Sequence, residues 1–131
     1  MNVEFLCQTA NIALLMGNVT EALTVIDEAE RTAWGRERAT PNAGLFEKLR
    51  IFHAAHASGY EAAQAIADEA LARFRGRNPL FYVSVLAAAA WSERRHLGSH
   101  KSSTEAELSA ALYRPELAGY ATLLKAQGLL S

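Results

Sequence analysis

The sequence predicts an all-α fold of repeated antiparallel helical hairpins, and three observations carry that prediction. The first is an internal echo. Residues 25–36 read VIDEAERTAWGR and residues 66–77 read IADEALARFRGR, 41 positions apart, sharing Asp27/Asp68, Glu28/Glu69, Ala29/Ala70, Gly35/Gly76 and Arg36/Arg77. Self-similarity at a period of about 20–50 residues marks a repeat architecture. The second is spacing: apolar residues recur at helical intervals between single glycines, and no segment alternates like a strand. The third is composition. Half of the 131 residues are hydrophobic, alanine is abundant and there are three prolines, which favours helix throughout and gives one domain's worth of chain a sizeable core.

Seven helices are expected in order. The first covers about residues 3–16, with Phe5, Leu6, Ile12, Ala13, Leu15 and Met16 at helical spacing and Gly17 as its stop. Asn18 starts the second, with Glu21 three places on in the capping-box arrangement. Its core face is Ala22, Leu23, Val25, Ile26 and Ala29, and it runs to about Trp34 before Gly35. Thr40–Pro41 supplies a cap and a first-position proline for the third helix, which runs to about Ala57. Ser58–Gly59 turns the chain into the fourth, from Tyr60 to about Arg75, ending at Gly76. Asn78–Pro79 repeats the cap-plus-proline start for the fifth, about residues 79–95. That helix is apolar nearly all round, so it belongs in the buried middle. Residues 97–103 form a polar loop. Ser102 with Glu105 is a second capping box and starts the sixth helix, about 103–112. Pro115 starts the seventh, which ends near Gln127, and Gly128 followed by Leu129 suits a Schellman cap. The expected units are 3–35, 40–76 and 79–112, closed by helix 115–128.

Charge and composition exclude several functions. A formal net charge of −1 gives no wholesale attraction to nucleic acid or anionic membrane. The longest nearly apolar run, residues 80–91, is too short to span a bilayer. Glu4 stands where a secretory signal carries Lys or Arg. The single cysteine, Cys7, allows no intramolecular disulfide and no cysteine-based zinc site. A reducing, cytoplasmic setting is expected.

No arrangement of residues points to catalysis, cofactor or metal. His53/His56 and His96/His100 could each offer two imidazoles, but zinc needs three or four ligands. Asp27–Glu28 and Asp68–Glu69 are adjacent on helices and so point about 100° apart; Asp27 with Arg31 and Glu69 with Arg73 fit exposed i,i+4 pairs. Cys7 sits among apolar residues with no basic neighbour in sequence to activate its thiol. The glycines stand singly, never in a phosphate-cradling loop. Basic residues cluster after the helix cores and could dock an acidic protein segment: Arg31, Arg36 and Arg38, then Arg73, Arg75 and Arg77, then Arg94, Arg95 and Lys101. Cations there complement the helix dipole.

With these elements in place, the first two helices resemble a tetratricopeptide repeat. Leu6, Ala10, Ala13, Gly17, Ala22, Ile26 and Ala29 fall at the family's spacings, and Ala54, Tyr60, Ala63, Ala67 and Ala70 follow in the second unit. The alanines let helix backbones approach closely. The likeness covers residues 3–77 and fades after the fifth helix. The period is 41 where the family has about 34, and the proline ending the family unit is missing from the first repeat. Such longer units are similar to those in helical portions of large bacterial signal-dependent transcription regulators, and to small chaperones of type III secretion. The resemblance implies a right-handed superhelix that binds a protein or peptide on its concave face, with Asn11, Leu45, Lys48, Phe52 and Tyr82 in the groove. The two-carboxylate clamp of co-chaperone members is not matched. The function it implies is a non-enzymatic interaction module, the regulatory or coupling domain of a transcription regulator; the alternative is a chaperone sequestering a partner's amphipathic helix. A free solenoid carries a polar cap at each end, whereas the first helix is apolar almost from Met1. The expectation for that end is that the chain is cut from a longer array or that something covers it, in a free-standing protein or a dimer.

Overall fold

The computed structural model describes residues 3–33, 43–98 and 103–130. Among these the fold is all-α: α1 (Val3–Leu15), α2 (Val19–Ala33), α3 (Ala43–Ala57), α4 (Tyr60–Phe74), α5 (Pro79–Leu97), α6 (Ser103–Leu112), a 3₁₀ turn (Pro115–Leu117) and α7 (Ala118–Ala126). The expected endings at Trp34–Gly35, the Thr40–Pro41 start, His100 and the Ser102 cap lie outside the described residues.

Local chemistry explains the boundaries. Gly17 takes φ 74°, and the amide of Asn18 then reaches back to the carbonyl of Ala13 at 2.8 Å. Asn18 at once caps α2, its Oδ1 accepting from the Glu21 amide at 3.2 Å. The box is not the reciprocal form, because the Glu21 carboxylate takes the Asn18 side-chain amide instead of its backbone N–H. Asn78 accepts from the Phe81 amide at 3.1 Å, with Pro79 behind it in the first turn. At the C-terminus the Leu129 amide bonds the Leu124 carbonyl and the Gly128 amide bonds that of Lys125, both at 3.0 Å. These are the two bonds of a Schellman motif, and Leu129 packs back fully buried.

Two expected elements are corrected. The helix expected from Pro115 to Gln127 opens as a 3₁₀ turn, with the Ala118 amide bonded to the Pro115 carbonyl, and becomes α-helical at Ala118. α5 continues past Arg95 to Leu97.

The core is one cluster. α1 packs on α2; α3 packs on α4 and α5; α4 packs on α5; and α5 packs on α6. Alanines form many of the contacts, with Ala10, Ala22, Ala63, Ala67 and Ala87–Ala90 all buried. Val85, Leu86 and Ser84 on α5 are fully enclosed, as a helix apolar all round requires. α3 also touches α1 and α2, so neighbours surround it and even Glu47, Lys48 and Arg50 are buried.

Candidate functional site

The five residues expected to line one groove separate into four environments. Asn11 and Lys48 come together: Lys48 Nζ donates to Asn11 Oδ1 at 2.8 Å. The third member of this group is Gln127, directly after α7. Its Oε1 accepts from Lys48 at 3.0 Å, and its Nε2 donates to Asn11 Oδ1 at 2.9 Å. Asn11 Nδ2 is satisfied by the Cys7 carbonyl at 2.9 Å. Lys48 is therefore not a solvent-facing groove residue. It is 1% exposed, because the last turn of the chain closes over it. Its direct partners are neutral amide oxygens, and burial pushes the amine down to about 8. Negative charge on the Cys7 sulfur would act in the opposite direction and more weakly. The Tyr120 ring lies 6.0 Å from the amine, and its hydroxyl shares a 2.5 Å hydrogen bond with Ser84.

Phe52 belongs to an aromatic cluster. It stacks on Trp91 at 4.7 Å between centroids and meets His56 edge-on at 4.8 Å. Arg95 lies over Trp91 and approaches His56 Nδ1 at 3.3 Å. Burial first, then Arg95 and His53, hold the His56 imidazole below its usual range. Leu45 is half-buried at the start of α3. Tyr82 faces elsewhere, its hydroxyl 3.3 Å from Arg75 Nε.

The described histidines have separate partners. His53 faces Asp27 and Glu30, at 3.9 and 3.2 Å, and His96 stacks on Tyr60. Among the described residues no group of three metal-ligating side chains forms, and no helix is long and apolar enough to cross a membrane. The expected Asp27–Arg31 pair is present at 3.4 Å, on the surface.

The feature that stands out as a surface is the outer side of α1. Leu6, Cys7, Ala10, Ala13 and Leu14 are buried against the rest of the chain, yet Phe5 is 57%, Ile12 56% and Met16 78% exposed. At 100° per residue, Phe5, Ile12 and Met16 lie within about 40° of one another, opposite the buried face. Leu15 and Val19 extend the patch and are also exposed. α1 is thus apolar on two sides, only one of which is covered. The early apolar run of the first helix signalled this; nothing local to Gln127 signalled its closure over Lys48.

No family model matches the chain, and comparison with curated proteins and with solved structures gave no match either.

Proposed function

We propose that this chain is a non-enzymatic protein-interaction module, the helical-repeat coupling domain of a larger regulator, docking a partner helix on the outer face of α1. The observation that carries the reading is that exposed face, Phe5, Ile12 and Met16 with Leu15 and Val19 beside them. An apolar stripe beside a buried one is what a helix inside a larger assembly presents. The order of packing, α1 on α2, α3 on α4, then α5 on both α3 and α4, supports a stack of helical hairpins. Such a stack leaves its terminal helix uncapped unless a neighbour covers it. The burial of Lys48 and Phe52 favours the α1 face over the concave groove as the contact.

Affinity purification from the native host tests the proposal, with the wild-type chain and the double variant Ile12→Glu/Met16→Glu as baits. Both positions are exposed, so the fold survives, as a thermal melt will verify. The expected result is a stoichiometric protein retained by the wild type and lost by the variant. Equal retention by both baits refutes the α1 reading. A retained regulator polypeptide supports the coupling role, and a secretion substrate supports the chaperone alternative. Self-association, read as a wild-type dimer that the variant breaks, replaces the foreign partner with a second copy.

A further inference from the structure

A cavity of about 340 Å³ lies away from α1, between the turn after α4 and the turn after α6. Its lining divides by chemistry. Pro79, Val83, Ala111 and Leu117 give apolar walls, while Arg77 and Arg114 bring guanidinium groups and Tyr82 a phenol. The volume falls at the small end of the range for small-molecule sites.

The charges around this cavity do not cancel. Arg114 is held by Glu116 at 2.6 Å. Arg75, beside the cavity, is held by Glu107 at 3.1 Å and by the Tyr82 hydroxyl. Arg77 forms no ion pair and no side-chain hydrogen bond among the described residues. The local sum is three guanidinium groups against two carboxylates, and the excess cation is the one whose fork is free. Two of the backbone amides at the cavity are already engaged. Those of Arg77 and Asn78 are bonded to the Phe74 carbonyl, and the Asn78 side chain is occupied capping α5.

We propose that this cavity binds a small organic acid with an apolar body, its carboxylate held by Arg77 and its hydrocarbon part against Val83, Ala111 and Leu117. The apolar walls select against a bare oxyanion such as phosphate, which would surrender its hydration to a surface that offers little in return. A guanidinium meets a carboxylate through two parallel N–H donors, so the free fork of Arg77 supplies both affinity and orientation. The ligand would bridge the turn after α4 to the turn after α6. It would thereby add to the Arg75–Glu107 ion pair that already joins α6 to the α4–α5 corner.

The probe is 2-naphthoate, with 2-naphthylmethanol as its neutral counterpart, titrated into the full chain while backbone amide shifts are followed by NMR. For a ligand of this size a dissociation constant of about 1 mM or tighter is expected. Saturable shifts should concentrate at Gly76, Arg77, Asn78, Ala111 and Leu117. The alcohol should bind about tenfold more weakly, and Arg77→Gln should weaken naphthoate by about the same factor. Arg77 is exposed, so the variant folds; were it not to fold, the acid–alcohol comparison on the native chain still decides. The proposal is overturned if the shifts lie elsewhere or do not saturate. Equal binding of acid and alcohol, displacement of naphthoate by equimolar inorganic phosphate, or an unchanged affinity in folded Arg77→Gln overturns it as well.

Discussion

Replacing Lys48 by Met tests the burial of the amine. Met keeps the unbranched apolar stem and removes the charge. In the folded chain Nζ is enclosed by the amide oxygens of Asn11 and Gln127, and burial lowers its pKa from 10.5 to about 8. Below pH 8 both folded and unfolded chains carry the proton, and this group contributes no slope. Between about pH 8 and 10.5 the unfolded chain still binds a proton that the folded chain has released. Stability therefore rises with pH, at up to about 1.4 kcal/mol per unit. From pH 7 to 9.5 the gain integrates to about 2 kcal/mol. The variant loses two hydrogen bonds and leaves Gln127 Oε1 short of a donor, a cost of about 1–3 kcal/mol. It also escapes burying an ammonium, and the two effects place it within about 2 kcal/mol of wild type at pH 7. The assay is urea denaturation of both chains at pH 7.0, 8.0, 9.0 and 9.5. Tyr60, which burial pushes upward, is common to both chains and cancels in the difference. Wild type should gain about 2 kcal/mol on the variant across the range. A difference that stays flat with pH refutes the buried, proton-releasing amine.

Two further substitutions test the packing. Leu86→Ala empties a fully enclosed position on α5 and should destabilise by about 2–5 kcal/mol; a neutral result in denaturant unfolding would remove α5 from the centre of the core. Ala63→Leu inserts three carbons where no surface is exposed, and should cost about 1–3 kcal/mol through overpacking. An unchanged unfolding midpoint would mean the helices around α4 can part without strain.

The caps were the most legible features, because a cap is written within three or four residues. Asn18, Asn78 and the Gly128–Leu129 pair each met local partners of the expected kind. The all-round apolar character of α5 likewise predicted its burial. A proline start, in contrast, serves a 3₁₀ turn and an α-helix equally, so residues 115–117 read as the beginning of α7. The larger error lay on α3. Charged side chains are ordinarily exposed, and the resemblance puts Lys48 in an open groove, whereas it is 1% exposed. What buries it comes from 37 and 79 positions away, at Asn11 and Gln127, and no local pattern encodes contacts at that separation. Glu47 and Arg50 are buried on the same helix, and there the ion pair, at 2.8 Å, is local, three residues apart. The apolar run on the first helix was legible, but its division into a buried and an exposed face needed the packing of α1 on its neighbours.

The interaction surface is tested most directly by hydrogen–deuterium exchange of the chain, alone and with the protein captured through it. The account predicts new protection across residues 5–19, where the exposed apolar face of α1 would be covered, and loss of that protection in Ile12→Glu/Met16→Glu. Protection confined to α3 and α5, with residues 5–19 exchanging as in the free chain, would contradict it and return the contact to the groove.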